Sequence, residues 1–188
     1  MVISWKGLTE NILACQACPL HRGIQNKVPG QGCAKARLML IGEGPGAEED
    51  RQGLAFVGAA GMLLTKMLAA IDLTREEVFI ANIVKCRPPG NRAPLPEEAA
   101  ACLPHLRAQT ALIRPEVILL LGATALRYII SPDARITRSR GQWIERKGVW
   151  IMPTFHPAAL LRDESKKRDA WEDLKLVRDK LASLEAVP

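Results

Sequence analysis

The 188-residue sequence contains no apolar run that approaches the roughly 20 residues needed to cross a lipid bilayer. Its first ten residues, MVISWKGLTE, also lack the basic and then apolar pattern of a secretory signal peptide. We therefore expect a cytoplasmic protein that makes no contact with a membrane. Stable disulfides are rare in that compartment, so the five cysteines are expected to serve metal ligation or chemistry.

Phosphate-binding loops are missing as well. The glycine-rich turn GEGPG, residues 42–46, is not followed by Gly-Lys-Ser/Thr, which excludes a Walker loop. Gly42, Gly44 and Gly46 are spaced by two, so the turn does not match the G-x-G-x-x-G pattern of dinucleotide-binding proteins either. Its neighbouring acids, at 43 and 48–50, would repel a pyrophosphate. The turn suits close approach to a flat, neutral group, or else it is the acid-rich start of a helix.

What the sequence does contain indicates an α/β fold. Four short and nearly continuous apolar runs have the character of strands covered on both faces. These runs are 37–42, 78–84, 116–122 and 149–155. Helical patterns occur at 58–71, 96–113, 124–130 and 163–185, whereas 135–152 has the pattern of a hairpin with a Lys-Gly turn. We predict one domain over residues 1–188, in three layers, with a central, mainly parallel four-stranded sheet flanked by helices.

Four of the five cysteines have spacings that favour metal binding. Cys15 and Cys18 form a C-x2-C pair, and Cys86 is separated from Cys102 by fifteen residues. Zinc ribbons usually combine two close pairs, so the long second gap fits an iron–sulfur cluster better, because its corners lie several Å apart. Spacing alone leaves a cluster, a zinc site and no metal all open. Cys33 has no partner motif and is expected to be an ordinary thiol.

Three side chains stand at or near predicted strand ends, where parallel sheets bind their ligands. Asn82 offers a donor and an acceptor side by side, which matches the O4 and N3–H of uracil and mismatches cytosine. His156, whose backbone is kept extended by Pro157, is suited to a carbonyl oxygen on which negative charge develops. Phe56, in a glycine-bounded loop, is suited to stacking on a base. Each of the three, taken alone, is equally compatible with a structural role.

Basic residues outnumber acidic ones, and the formal net charge of +6 with a pI of about 9.3 favours an anionic partner. The segment LLRDESKKR, residues 160–168, places two leucines beside four cations, as a protein that extrudes a base requires. The alternative is a helix start with a solvated, charged face. Further possible phosphate contacts are Arg135, Arg138, Arg140, Arg146 and Lys147.

Taken in order, several motifs and the four cysteines resemble the family 4 uracil-DNA glycosylases, the iron–sulfur branch of the uracil-DNA glycosylase superfamily. The motifs are GEGPG, FVGAAGMLL, NIVKCRPPGNR, LLLGATA and HPAALLR. The resemblance covers nearly the whole chain, and it implies a monofunctional hydrolase of base excision repair that releases uracil from DNA and leaves an abasic site. It further implies a structural [4Fe–4S] cluster on Cys15, Cys18, Cys86 and Cys102.

The resemblance also implies roles for individual residues. Asn82 would recognise the uracil edge, Phe56 would stack on the extruded base, and His156 would contact O2. The turn at Gly42, Gly44 and Gly46 would line the pocket, and Glu49 would occupy the space that a thymine methyl group needs.

Glu43 is the nearest candidate to position the attacking water, since Gly44 stands where some superfamily members have Asp or Asn. The DNA-contacting residues are expected to be Leu160, Leu161, Arg162, Lys166 and Lys167. We expect a monomer that acts on single- or double-stranded DNA.

Three alternatives stay open beside this interpretation. Ala47 stands where related chains often carry an acid, so activity on hypoxanthine or other damaged bases is one of them. A non-catalytic iron–sulfur DNA-binding protein and a metal-bearing nucleotide-binding protein are the others. The superfamily branch that bonds covalently to the abasic sugar is disfavoured, because its basic, His-containing insertion is replaced here by RPPGNRAPLPEE.

Overall fold

A computed structural model describes residues 4–185, and its six strands form one sheet in the order β1-β3-β2-β4-β6-β5. The strands are β1 Gln31–Gly32, β2 Leu38–Gly42, β3 Phe79–Asn82, β4 Val117–Leu121, β5 Ile144–Arg146 and β6 Val149–Thr154. The inner four, β3, β2, β4 and β6, are all parallel, as predicted. The two outer strands pair antiparallel at the edges, so the sheet has six strands rather than four. At two residues, β1 is too short to produce a periodic sequence signal, whereas β5 belongs to the predicted hairpin.

Helices cover both faces of this sheet. The α-helices are α1 Trp5–Ala14, α2 Ala47–Gln52, α3 Ala59–Ala69, α4 Pro96–Ile113, α5 Ala123–Ile129, α6 Ile136–Ser139, α7 Pro157–Arg162 and α8 Lys167–Glu185. The four predicted helices correspond to α3, α4, α5 and α8. The predicted hairpin is correct only in its second half, where the Lys147–Gly148 turn joins β5 to β6, because residues 136–139 are helical.

Alternate strand residues pack into two separate hydrophobic cores. Leu38 and Leu40 face a core that includes residues of α3 and α8, whereas Met39 and Ile41 face a core that includes residues of α4 and α5. Both sets are at most 2% exposed, which explains why this strand lacks polar alternation. Within residues 4–185, no helix combines the length and apolar character needed to span a bilayer.

The register of the parallel strands gathers their carboxyl ends at one edge. Gly42 is paired with Asn82, and Leu121 with Thr154. The glycine-rich turn, Asn82 and His156 therefore lie at the same edge, as the rule for open parallel sheets predicts.

Candidate active site

A pocket of about 530 Å³ opens at this carboxyl edge. The predicted site residues that line it are Glu43, Gly44, Gly46, Glu49, Phe56, Asn82, His156 and Arg162. Gly42 lies directly behind the lining. A Cβ atom at this position would come within 2.5 Å of Asn82 Oδ1 and 2.6 Å of Phe56 Cζ. Any side chain at position 42 would thus displace two residues of the pocket.

Asn82 carries an unsatisfied polar atom. It ends β3 and is only 2% exposed. Among residues 4–185, its Oδ1 is the only buried side-chain oxygen or nitrogen without a hydrogen-bond partner. Buried polar groups are normally paired, because an unpaired one loses its bond to water without compensation. An acceptor of this kind in a pocket wall indicates a ligand that donates a hydrogen bond.

Phe56 and His156 form the aromatic part of the pocket. Their rings are stacked, with centroids 5.5 Å apart and planes inclined by 29°. Phe56 has a φ of +54°, a left-handed conformation that is rare for bulky residues and concentrated at functional sites. Gly122, with a φ of +92°, backs onto His156, since a Cβ there would lie 2.8 Å from the His156 Cβ.

The imidazole of His156 is neutral. Its Nδ1 accepts a hydrogen bond of 3.1 Å from the Ala158 amide at the start of α7, so the ring proton lies on Nε2. Burial lowers the pKa of His156 to about 4, the positive charge of Arg162 adds to this effect, and Glu49 opposes it. The ring therefore acts as a neutral hydrogen-bond donor at physiological pH.

Glu49 joins two segments of the pocket wall. One carboxylate oxygen accepts from the Gly46 amide at 3.1 Å, and the other accepts from Val57 and Gly58 at 2.8 and 2.9 Å. The carboxylate thereby fixes the glycine-rich turn to the loop that carries Phe56. Sequence reasoning placed Glu49 in the pocket but did not predict this structural role.

Thr124 is a pocket residue that sequence reasoning missed. It lies in the first turn of α5, and its hydroxyl donates a short hydrogen bond to the Glu43 carboxylate. Thr124 belongs to the motif LLLGATA, but a threonine at a helix start is common, and its pairing with Glu43 spans 81 residues of sequence.

The predicted DNA-contacting segment divides into buried and exposed residues. Leu160 is 2% exposed and belongs to the hydrophobic core, whereas Leu161 is 47% exposed. The sequence predicted that both leucines contact DNA. The structure corrects this prediction for Leu160, because only Leu161 is accessible. Lys166 and Lys167 form ion pairs with the acids three residues before them, Asp163 and Glu164.

Two residues of the other predicted basic group make internal contacts. Arg140 is paired with the buried carboxylate of Asp173, and Arg146 donates to the backbone carbonyls of Ile129 and Ile130. Both guanidinium groups are thereby engaged within the fold, which argues against the phosphate contacts expected of them.

The four cysteines with metal-ligand spacing line one small cavity. Cys86 and Cys102 are each 8% exposed, and burial, with the other cysteines of the cavity, raises the pKa of Cys86 to about 12. Cys33 lies outside this lining, and its Sγ accepts a hydrogen bond from the Lys35 amide. Within residues 4–185, no group of three His, Cys, Asp or Glu side chains is arranged to hold a single metal ion. Four thiols around one cavity nevertheless fit a cubane cluster, whose ligands stand farther apart than those of an ion.

Comparison with known proteins decides the family. The model of the uracil DNA glycosylase superfamily matches residues 29–175. The chain belongs to this superfamily. It is also 48% identical over 172 residues to a type-4 uracil-DNA glycosylase of Thermotoga maritima. The aligned region covers 89% of this chain and 90% of that relative.

Two archaeal relatives carry the same name. The type-4 uracil-DNA glycosylase of Sulfurisphaera tokodaii is 42% identical, covering 94% of this chain and 84% of the relative. That of Archaeoglobus fulgidus is also 42% identical, with 90% and 89% covered. The resemblance inferred from the motifs to the uracil-DNA glycosylases is confirmed.

Proposed function

We propose that this protein is a monofunctional uracil-DNA glycosylase, which hydrolyses the N-glycosidic bond of deoxyuridine in DNA and leaves an abasic site. The observation that carries the proposal is the unpaired Oδ1 of Asn82, a buried acceptor in the pocket at the carboxyl edge of the sheet. The high similarity to type-4 uracil-DNA glycosylases over most of the chain supports the same activity.

Asn82 would recognise the base by its hydrogen-bonding edge. Its Oδ1 accepts from the uracil N3–H, and its Nδ2 donates to O4. Cytosine presents an acceptor at N3 and a donor at N4, so both contacts would be lost and buried polar groups left unpaired. Phe56 would stack on the base. Glu49, fixed by three backbone amides, would form a rigid wall against the methyl group of thymine.

Bond cleavage would be assisted by His156 and Glu43. As the bond between N1 and C1′ breaks, its electron pair moves onto the base, and negative charge develops at O2. The Nε2–H of a neutral His156 donates to that oxygen without giving up its proton. The Glu43 carboxylate, held by Thr124, would stabilise the cationic sugar and orient water. The water oxygen bonds to C1′, and its released proton balances the charge of the departing uracil anion.

The target nucleotide must leave the base stack to reach this pocket. Leu161 is the exposed apolar side chain of α7, and Arg162, which follows it, lines the pocket. We assign Leu161 to the space left by the extruded base and Arg162 to a neighbouring phosphate. Lys166 and Lys167 would approach the backbone only by leaving their ion pairs, so their contribution is expected to be smaller.

A [4Fe–4S] cluster would be held by Cys15, Cys18, Cys86 and Cys102. When bound, it would supply a cross-link between the segment after α1, the segment after β3 and helix α4. The donor set, four thiols on one cavity, fits this group. Its role would be structural, because the proposed hydrolysis transfers no electron.

The experiment that tests the function is uracil release from an oligonucleotide with a single deoxyuridine, followed by alkaline cleavage. Under single-turnover conditions, His156→Ala is expected to slow release by roughly 10²- to 10³-fold, since it removes a donor to the developing anion. Asn82→Ala should cause a comparable loss. Gln25→Ala, which truncates an exposed amide away from the pocket lining, serves as the control and should retain the wild-type rate.

The outcomes separate the alternatives. Cleavage at deoxyuridine that depends on Asn82 and His156 would support the proposal. Cleavage only at hypoxanthine or another damaged base would replace uracil as the substrate, and DNA binding without any cleavage would indicate a non-catalytic binding protein.

A further inference from the structure

Lys85 is a buried lysine that the proposed chemistry does not use. It follows β3, three residues after Asn82 and immediately before Cys86, and only 2% of it is exposed. Its Nζ donates to the backbone carbonyl of Asn82 at 3.0 Å and to Gln109 Oε1 at 2.7 Å. Both acceptors are uncharged, and no carboxylate within residues 4–185 forms an ion pair with it.

The same lysine borders the cysteine cavity. Lys85 is one of its lining residues, and its backbone amide donates to Cys102 Sγ at 3.3 Å. A buried charge is stable only when it is paired. Cysteine thiolates, which are the ligand form of these side chains in a cluster, would provide the negative charge that an ammonium requires.

We propose that Lys85 is a positioning residue that couples the cysteine site to base recognition: its ammonium compensates the charge of the cysteine ligands while holding the main chain of Asn82. This inference rests on the proposed function, because it gives Asn82 the task of recognising the base. The coupling is direct, since one residue contacts both sites: its backbone amide donates to Cys102 Sγ, and its Nζ donates to the Asn82 carbonyl. Gln109 fixes the Nζ through a second hydrogen bond.

Gln109 completes the arrangement. It is 1% exposed in α4, and its Nε2 donates to the Pro29 carbonyl at 2.7 Å, which leaves Oε1 oriented toward Lys85. The amide therefore cannot rotate without losing both bonds. Beyond β3, the amides of Ile83 and Val84 bond to the carbonyls of Gly42 and Glu43, so a shift of this segment would also move the glycine-rich turn.

Lys85→Met, which retains the length of the side chain without its charge, is the decisive variant. Loss of cluster absorbance during incubation with a chelator is expected to be roughly tenfold faster than in the wild type, as for other outer-shell partners of metal ligands. Single-turnover uracil release, normalised to cluster content, is expected to be roughly tenfold slower. Hydrogen exchange of the peptide containing residues 79–84 should be faster.

Lys27→Met is the matched control. Lys27 also lines the cysteine cavity, but its Nζ donates to the Leu13 carbonyl and not to Asn82. This variant is expected to lose the cluster faster than the wild type does. Hydrogen exchange of its residues 79–84 should stay at the wild-type level. Equal effects of the two substitutions on that exchange would overturn the proposed coupling, and so would wild-type behaviour of Lys85→Met in all three measurements.

A second variant keeps the test decisive if Lys85→Met does not fold. Gln109→Leu removes one acceptor of the ammonium and should change the same quantities in the same direction, by roughly threefold or more. No change in either cluster loss or exchange would contradict the role of Lys85. If the wild type releases no uracil, the proposed function fails, but cluster loss and exchange still decide whether Lys85 joins the two sites.

Discussion

Among the single residues of the pocket, Thr124 fixes a carboxylate whose orientation matters for the reaction. Its hydroxyl donates to Glu43, and the two residues follow the adjacent parallel strands β2 and β4. Thr124→Val keeps the shape of the side chain and removes the hydroxyl that donates to Glu43. We expect single-turnover uracil release to fall roughly tenfold, because Glu43 would lose the contact that aims it at the water. DNA affinity should be unchanged.

The conservative substitution separates orientation from packing. Thr124→Ser retains the hydroxyl and should therefore release uracil at close to the wild-type rate. Glu43→Gln alone should slow uracil release, and adding Thr124→Val to it should cause little further loss. Additive losses in the double variant would mean that the two side chains act independently, and the assignment of Glu43 as water holder would lose its support from Thr124.

His156 provides a prediction on pH dependence. Its pKa is about 4 in the folded protein and has its ordinary value of 6.5 in the unfolded chain. Between these values the unfolded state binds more protons, so this residue's contribution to the free energy of unfolding rises with pH and is lost as pH falls through the window. The wild type should therefore lose stability more steeply than His156→Gln between pH 6.5 and about 4.

The measurement is urea unfolding of both proteins at several pH values in this window. Acidic groups contribute to the pH dependence of each protein, so the difference between the two curves isolates His156. Parallel curves would show that the imidazole is not neutralised by burial. The rate of uracil release should likewise show no inflection near pH 6.5, the value of an ordinary histidine.

At the scale of elements, a buried carboxylate fastens the last helix to the strand that precedes His156. Asp173 of α8 is 1% exposed and accepts from Thr154 Oγ1 at 2.7 Å and from the Arg140 guanidinium at 2.6 and 3.0 Å. Thr154 is the last residue of β6, two positions before His156. The position of the imidazole thus depends on a helix that contributes no residue to the pocket lining.

Asp173→Ala should lower the free energy of unfolding by about 3 kcal/mol, because it leaves Arg140 and Thr154 without their buried partner. Asp169→Ala is the matched control on the same helix. Asp169 is 54% exposed and lies 3.7 Å from Arg140, so its loss should cost less than about 1 kcal/mol. Urea unfolding of both variants checks the difference, and similar values for the two would refute a specific role for the buried contact.

The elements also show which parts of the fold can be predicted from sequence. The four central strands and the helices α3, α4, α5 and α8 have long apolar patterns, because each packs into a core. The edge strands β1 and β5 lack such a pattern, since two or three residues cannot show a period. The helix at 136–139 was mistaken for a strand for the same reason. Only the Lys-Gly turn between β5 and β6 indicated β5.

Residues of the candidate site could be predicted from the sequence only where they follow a predicted strand, because the ends of parallel strands lie together in space. Asn82 and His156 stand at strand ends, so the topology of a parallel sheet brings them together. The contact between Thr124 and Glu43 depends on side-chain geometry across 81 residues and has no local signal. The burial of Leu160 beside the exposed Leu161 likewise depends on how α7 is oriented against the core.

At the scale of the whole molecule, the proposed cluster would join parts of the chain that are far apart in sequence. Cys15 and Cys18 follow α1, Cys86 follows β3, and Cys102 lies within α4. A covalent link of this span stabilises a protein mainly by restricting its unfolded state, as a disulfide does, typically by about 2–4 kcal/mol. We therefore expect the protein without its cluster to fold but to be less stable.

Removal of iron by a chelator should lower the Tm by about 10 °C, since each kcal/mol corresponds to a few degrees in a chain of this size. Broad absorbance at roughly 400 nm should disappear in parallel, as it reports the iron–sulfur centre. Cys33→Ser is the control, because Cys33 lies outside the cavity and should affect neither the absorbance nor the Tm. Residual uracil release at low temperature by the iron-free protein would agree with a purely structural cluster, whereas an unchanged Tm after complete iron loss would refute the cross-linking role.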